Sequence, residues 1–173
     1  KHLLYPTSKT SNPSSIIQDT TNGIYSPIVS GFNQGLATDE TNITYGTGVA
    51  KDATNNQVDF TAAAQYEKLN WNSVTPVVEV GKSYTLTYTI SNVPYTDPAV
   101  VTTTPAIRPV LNDEFGNSIN FTSRSQDGTY IETLPLLADL GDVYANRFWF
   151  QTQTTTAFTG SVSDVVLVES TDL

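Results

Sequence analysis

The chain has 173 residues and a formal charge of −9, with 38% hydrophobic and only 14% charged residues. Such acidity argues against nucleic acid as a partner, because phosphate binding needs clustered Lys and Arg, and against an anionic membrane surface. Cysteine is absent, which excludes disulfides, a thiolate nucleophile and Cys-based metal sites, and no apolar run approaches the roughly 18 residues of a bilayer span.

Thr, Ser, Asn and Gln fill the gap left by charge, a composition suited to strands and turns. Residues 1–42 are irregular and read as an N-terminal arm laid over the remainder. Ile16-Ile17 and Ile24–Val29 are short strand candidates within it, around the Asn22-Gly23 turn. The chain begins at Lys1 without Met and is read as a piece of a larger protein. From Ile43 the strand signal is dense. Ile43-Thr44-Tyr45 and Gln57–Thr61 alternate with period two, separated by the turn-forming cluster Lys51–Asn56. Tyr66–Trp71 and Val77–Val80 follow.

Ser83–Val93 is the clearest strand. Tyr84, Leu86, Tyr88 and Ile90 share one face, and Thr85, Thr87 and Thr89 the other. One face must therefore pack on a core while the other meets solvent or a partner. Ala99–Thr103, Ile107–Leu111, Ser118–Thr122 and Tyr130–Leu134 are further strands, with turns at Asn112–Asn117 and Gln126–Thr129. Leu136–Leu140 suggests one helical turn, and Ala145–Thr152 and Ser161–Glu169 are the last strands. Many short strands with turn signals between them predict an all-β, antiparallel two-sheet β-sandwich, with residues 43–173 forming the sandwich.

Catalytic chemistry finds little support. The single histidine, His2, lies in a terminal segment, so a Ser-His-Asp arrangement has no rigid base. The candidate acids Asp39, Glu40, Asp113, Glu114, Asp139 and Asp142 sit in turn-like sequence, where carboxylates are usually solvated. No enzyme is expected. Saccharide binding fits better. A sugar presents apolar C–H faces and a ring of hydroxyls, and its site needs aromatic rings with amide, carboxylate or guanidinium groups. In Asn146–Thr152, Phe148 and Phe150 share a core face, leaving Arg147, Trp149 and Gln151 on the other. These three are the leading ligand-binding candidates. The competing reading packs Trp149 beneath the N-terminal segment. Trp71, between Asn70 and Asn72, fits either a stacking residue or a core plug. Arg108, Arg124, Tyr130 and Tyr144 are further candidates.

Three segments resemble jelly-roll carbohydrate-binding modules of bacteriophage tail proteins and glycoside hydrolases. Val77–Tyr88 is similar to their "V-x-x-G-K-x-Y-T-L-S-Y" stretch, and Asp127-Gly128-Thr129-Tyr130 to their "D-G-x-Y/W" turn. Phe158–Glu169 is similar to their closing "G-x-x-x-x-D-D-V-x-L-x-E" strand, and Leu3-Leu4 to their "N-L-L" start. The resemblance implies a jelly roll that recognises a bacterial surface or cell-wall polysaccharide, on a virion tail or outside the cell. Members of that family often hold a structural calcium; here Asp164 is the one matching ligand, Ser163 replaces the first acid of the closing pair and the early acidic position has no counterpart, so no cofactor is expected. An accessory module of a secreted hydrolase or adhesin, and a purely structural domain forming a homo-oligomer or tail assembly, are the alternatives.

Overall fold

The computed structural model describes residues 29–31, 42–72, 82–95, 103–112, 118–135 and 147–170. Among them run the strands β1 (Val29–Gly31), β2 (Ile43–Tyr45), β3 (Val49–Asp52), β4 (Gln57–Ala63), β5 (Lys68–Trp71) and β6 (Ser83–Ser91). They continue with β7 (Ile107–Asn112), β8 (Ser118–Asn120), β9 (Gly128–Pro135), β10 (Arg147–Thr152) and β11 (Phe158–Ser170). One sheet has the order β3-β4-β11-β6-β9, with β1 also paired to β11. The other has the order β2-β5-β10-β7-β8. Every pairing is antiparallel. The predicted two-sheet sandwich is the observed fold.

Inward side chains from both sheets make one core, including Phe60, Leu69, Tyr84, Leu86, Tyr88, Phe148, Phe150, Phe158 and Leu167. Its centre is a run of aromatic contacts. Trp71 meets Phe148 at 5.4 Å between ring centroids, Phe148 meets Phe150 at 5.4 Å, and Phe150 meets Tyr88 of the opposite sheet at 5.1 Å. Edge-to-face geometry at the last two suits the ring quadrupoles. On β6 the threonines turn outward and join neighbouring hydroxyls, Thr85 with Thr133 at 2.7 Å and Thr89 with Thr129 at 3.0 Å.

The strand phase changes where bulges insert a residue. On β11, Phe158 and Val162 face inward, and so do Val165 and Leu167. The register to β6 shifts between Ser163 and Val166, with Asp164 at φ 51° absorbing the extra residue. On β4, Ala62 at φ 45° does the same between Phe60 and Ala63. The predicted turn Lys51–Asn56 is shorter than expected, because Val49–Asp52 pairs with β4 as a strand. Asp52 Oδ1 accepts the backbone N–H of Thr54 at 2.9 Å, and Asn56 takes φ 49° before β4 begins. Predicted features at 1–28, 73–81, 96–102, 113–117 and 136–146 lie outside the described residues, as do His2, Tyr144 and the candidate acids Asp39, Glu40, Asp113, Glu114, Asp139 and Asp142. Of the predicted N-terminal arm, β1 is described, and it pairs with β11.

A cross-sheet clamp closes one side of the sandwich. The Arg124 backbone exchanges hydrogen bonds with Ile107 of β7, at 2.8 and 2.9 Å. Its side chain reaches Glu132 on β9 of the other sheet at 2.9 Å and lies over Tyr130 at 4.4 Å. Glu132 also accepts the Thr122 backbone N–H at 3.0 Å. Burial pushes the Glu132 carboxyl up, but the Thr122 hydrogen bonds and the Arg124 guanidinium outweigh it and hold the group below its ordinary value. Burial pushes the neighbouring Tyr88 phenol well above its ordinary value. Because the Glu132 pKa is depressed, its stabilisation is present above the unfolded carboxylate value of about 4.3 and is lost as pH falls through the folded value. Glu132→Gln is therefore expected to lower stability by about 1–3 kcal/mol at neutral pH. It should also flatten the loss of Tm between about pH 5 and pH 3. Thermal melts across that range check both, and parallel pH profiles for the two proteins would contradict the clamp.

Candidate functional site

The pleat of β10 decides which groups reach the surface of the five-stranded sheet. Phe148 and Phe150 are buried in the core, so Arg147, Trp149 and Gln151 point away from it. Register carries that choice across the sheet. Trp149 lies opposite Asn70 on β5 and Val110 on β7, Asn70 lies opposite Thr44, and Val110 opposite Asn120. One outward row therefore crosses all five strands: Thr44, Asn70, Trp149, Val110, Asn120. The next outward row along is Lys68, Gln151, Arg108. Arg147 begins β10 and is exposed. The structure thus brings Arg147, Trp149, Gln151 and Arg108 onto one face.

Trp149 faces outward but is only 8% exposed. The Lys68 ammonium sits over its ring, 4.3 Å from the centroid, and its indole N–H points to Gln151 Oε1 at 3.4 Å. A cation already occupies one face of the indole. In this arrangement Trp149 fixes Lys68 and Gln151 in place and offers little open surface of its own. Asn70 donates to Asn72 Oδ1 at 2.7 Å and to Thr44 Oγ1 at 3.4 Å, which holds the amides of the row in register.

Two exposed aromatic rings lie beside this face. Tyr66 is 60% exposed and Tyr45 is 38% exposed. With Thr44, Glu67, Lys68 and Asn70 they line a groove of about 240 Å³ at the β2–β5 corner. Tyr66 is the third residue of the turn Ala64–Glu67, closed by a hydrogen bond from Glu67 N–H to Ala64 C=O at 3.3 Å. Its φ is 71°, a left-handed value where Gly or Asn is usual and a bulky aromatic is an outlier. Such strain costs about 1–3 kcal/mol and persists where the surroundings enforce it. Here β10 enforces it. Thr152 C=O accepts the Tyr66 N–H at 3.0 Å, Thr152 N–H donates to Glu67 C=O at 3.1 Å, and the buried Thr152 hydroxyl donates to Ala64 C=O. Glu67 turns its carboxylate to the Thr47 N–H at 2.7 Å, tying in the β2–β3 turn.

The remaining candidates lie elsewhere. Trp71 is buried between the sheets against Phe148 and Phe150 and presents no face to a ligand. The alternation of β5 turns Leu69 and Trp71 inward together, and Lys68 and Asn70 outward. Tyr130 belongs to the other sheet and packs between Tyr88 and Arg124. Asp164 occupies the β11 bulge and accepts the Ser163 hydroxyl at 3.1 Å. Among the described residues no cluster of three or more His, Asp or Glu suits a metal ion. Sequence reasoning missed Tyr45 and Tyr66. Tyr45 ends an edge strand, and Tyr66 sits in a turn whose backbone its residue type does not favour.

Two other clefts are weaker candidates. One of about 330 Å³, on the outer face of the six-stranded sheet, is lined by Gln57, Asp59, Asn92 and Ser161. These bond mainly to one another, Ser161 to Asp59 at 2.8 Å and Gln57 to Asp59 at 2.7 Å, and bring no exposed ring. The other, of about 390 Å³, has one exposed ring, Tyr95, above Gln126 and Asp127. One oxygen of Asp127 already holds the Val93 N–H at 2.8 Å.

Solved structures similar to this chain are carbohydrate-binding modules. The CBM22-1 xylan-binding domain from Paenibacillus barcinonensis matches with a TM-score of 0.50 at 10% identity, over 86% of this chain and 97% of that one. A CBM29-2 variant complexed with mannohexaose matches at 0.49 and 14%, over 83% and 90%. A CBM4 structure matches at 0.44 and 13%, over 74% and 78%. At 10% identity the likeness to the xylan-binding domain speaks to the fold. No family model and no curated protein matches the sequence.

If Tyr66 holds a strained backbone for the sake of its ring, Tyr66→Gly should relieve the strain. A Tm equal to or above that of the parent protein is expected, since glycine occupies this conformation at little cost. A clear fall in Tm would show that the ring is structural.

Proposed function

We propose that this domain is a non-catalytic module that binds polysaccharide along the Tyr45–Tyr66 groove and the adjoining outer face of the five-stranded sheet. The observation that carries this reading is Tyr66: an exposed ring kept in an unfavourable backbone, beside a second exposed ring and a row of amides and hydroxyls. Phenol rings stack on the C–H faces of a pyranose. Thr44, Asn70, Gln151 and Asn120 supply donors and acceptors for its hydroxyls. Trp149 and Val110 are buried at the middle and far side of the row, so the accessible part of the face is its β2–β5 side, around Thr44 and Asn70 beside the two rings.

Hydrolysis is not supported by the groove, where among the described residues Glu67 is the lining carboxylate and already holds a backbone N–H. A glycosidase needs a second carboxyl facing the first across the bond. The proposed ligand is a bacterial surface or cell-wall polysaccharide, and the proposed setting a bacteriophage tail or baseplate protein. A secreted hydrolase or adhesin is the competing setting, and the sequence flanking the domain in its parent gene separates the two.

Glycan-array screening followed by calorimetric titration tests the reading. Replacing both rings, Tyr45→Ala with Tyr66→Ala, is expected to weaken binding about tenfold or more, at roughly 1 kcal/mol per stacked ring. Thr129→Ala, on the opposite sheet, should leave it unchanged. Full affinity in the double variant would remove the groove from consideration.

A further inference from the structure

The charges of this acidic chain are divided between its two sheets. The strands of the six-stranded sheet carry Asp52, Asp59, Glu132, Asp164 and Glu169. The strands of the five-stranded sheet contain no Asp or Glu, and carry Lys68, Arg108 and Arg147. Elsewhere Lys82 pairs with Glu169 at 3.0 Å and Arg124 with Glu132 at 2.9 Å, while Lys51 lies on β3 of the six-stranded sheet. Lys68, Arg108 and Arg147 make no ion pair with a described residue, and by register all three belong to the outward rows or their end. Lys68 is steadied by the Trp149 ring. Arg108 is half-buried, with its Nε–H covered.

We propose that the polysaccharide bound on this face is anionic, with its carboxylate or phosphodiester groups received by Lys68, Arg108 and Arg147. The proposal rests on the carbohydrate reading and names the ligand class within it. Among the described residues, three cations without an ion pair to a described residue lie on the sheet whose strands hold no acid, with Glu67 at its β5 end, and in a chain of charge −9 they offer an approaching polyanion a local attraction within an otherwise repulsive field. The spacing selects the kind of anion. Lys68 and Arg108 are two strands apart, about 10 Å. Arg147 begins the strand on which Gln151, their common neighbour, lies four residues further on. Each strand of a nucleic-acid duplex places a charge about every 3.4 Å along the axis, far denser than these three cations. A glycan charged once per repeat suits the spacing, and the intervening Gln151 and Thr44 serve its hydroxyls.

Titrations with five polymers and a sixth as control test this. The set is polygalacturonate (carboxylate), a glycosylated poly(glycerol phosphate) (phosphodiester), neutral xylan and glucomannan, and an oligothymidylate. Dextran sulfate serves as a non-specific polyanion. One of the two acidic glycopolymers is expected to bind at least about tenfold tighter than either neutral glycan, with affinity falling as salt rises. Arg108→Gln with Arg147→Gln should remove about tenfold of that affinity while leaving Tm nearly unchanged. Which acidic polymer binds distinguishes carboxylate from phosphodiester. Equal, salt-independent binding of a neutral glycan, unaffected by the double variant, would overturn the charge assignment and leave the carbohydrate reading standing. Preference for oligothymidylate or dextran sulfate over every glycan would overturn it as well. Binding to none of the polymers would remove the carbohydrate reading, and this inference with it.

Discussion

The alternation of β10 between its two hydrogen-bonded neighbours is the constraint on which the rest depends. Phe148 and Phe150 are committed to the aromatic centre of the core by contacts with Trp71 and Tyr88. A slip of one residue would bury Arg147 and Gln151 and expose both phenylalanines, so the register cannot drift. Once that phase is set, pairing to β5 and β7 transmits it to Lys68, Asn70, Arg108 and Val110. The proposed binding face is in this sense the reverse side of the core.

Tyr66 shows the opposite relation between fold and function. Its backbone is held against its own preference by hydrogen bonds from the end of β10, and the turn would be easier to form with glycine. The same strand therefore orders the flat outer face at one point and the strained corner at another. Thr152 links them. Its backbone continues the pairing of β10 with the β5 segment, while its buried hydroxyl fastens the turn through Ala64. A ligand in contact with both Tyr66 and the Lys68–Gln151–Arg108 row would touch two features positioned by one element.

Much of this was legible in the sequence where one residue pattern had one physical solution. The Tyr-Leu-Tyr-Ile and Thr faces of β6, and the Phe148/Phe150 against Arg147/Trp149/Gln151 division of β10, follow from strict period two and are observed. Where a bulge intervenes, periodicity misleads. β4 and β11 each insert a residue in a left-handed conformation, at Ala62 and Asp164, and their inward positions change parity midway. Val49–Asp52 was hidden because a four-residue strand ends in the same Asp that begins its turn. Trp71 illustrates a genuine ambiguity, since flanking asparagines fit a loop as well as a strand until the partner register is known. Lys68, on a different strand, lies over the Trp149 ring, and no local pattern announces such a contact. Tyr66 escaped because a positive φ at tyrosine contradicts the preference from which sequence reading starts.

The proposed saccharide contact lies at the β2–β5 corner and the adjoining outer face of the five-stranded sheet. Amide and indole chemical-shift mapping by NMR, during titration with the oligosaccharide that binds best, tests it most directly. The account predicts perturbations at Tyr45, Tyr66, Lys68, Asn70, Gln151 and the Trp149 indole N–H, with the β6 threonines silent. Perturbations confined to the threonine face, or to the cleft beneath Tyr95, would contradict it.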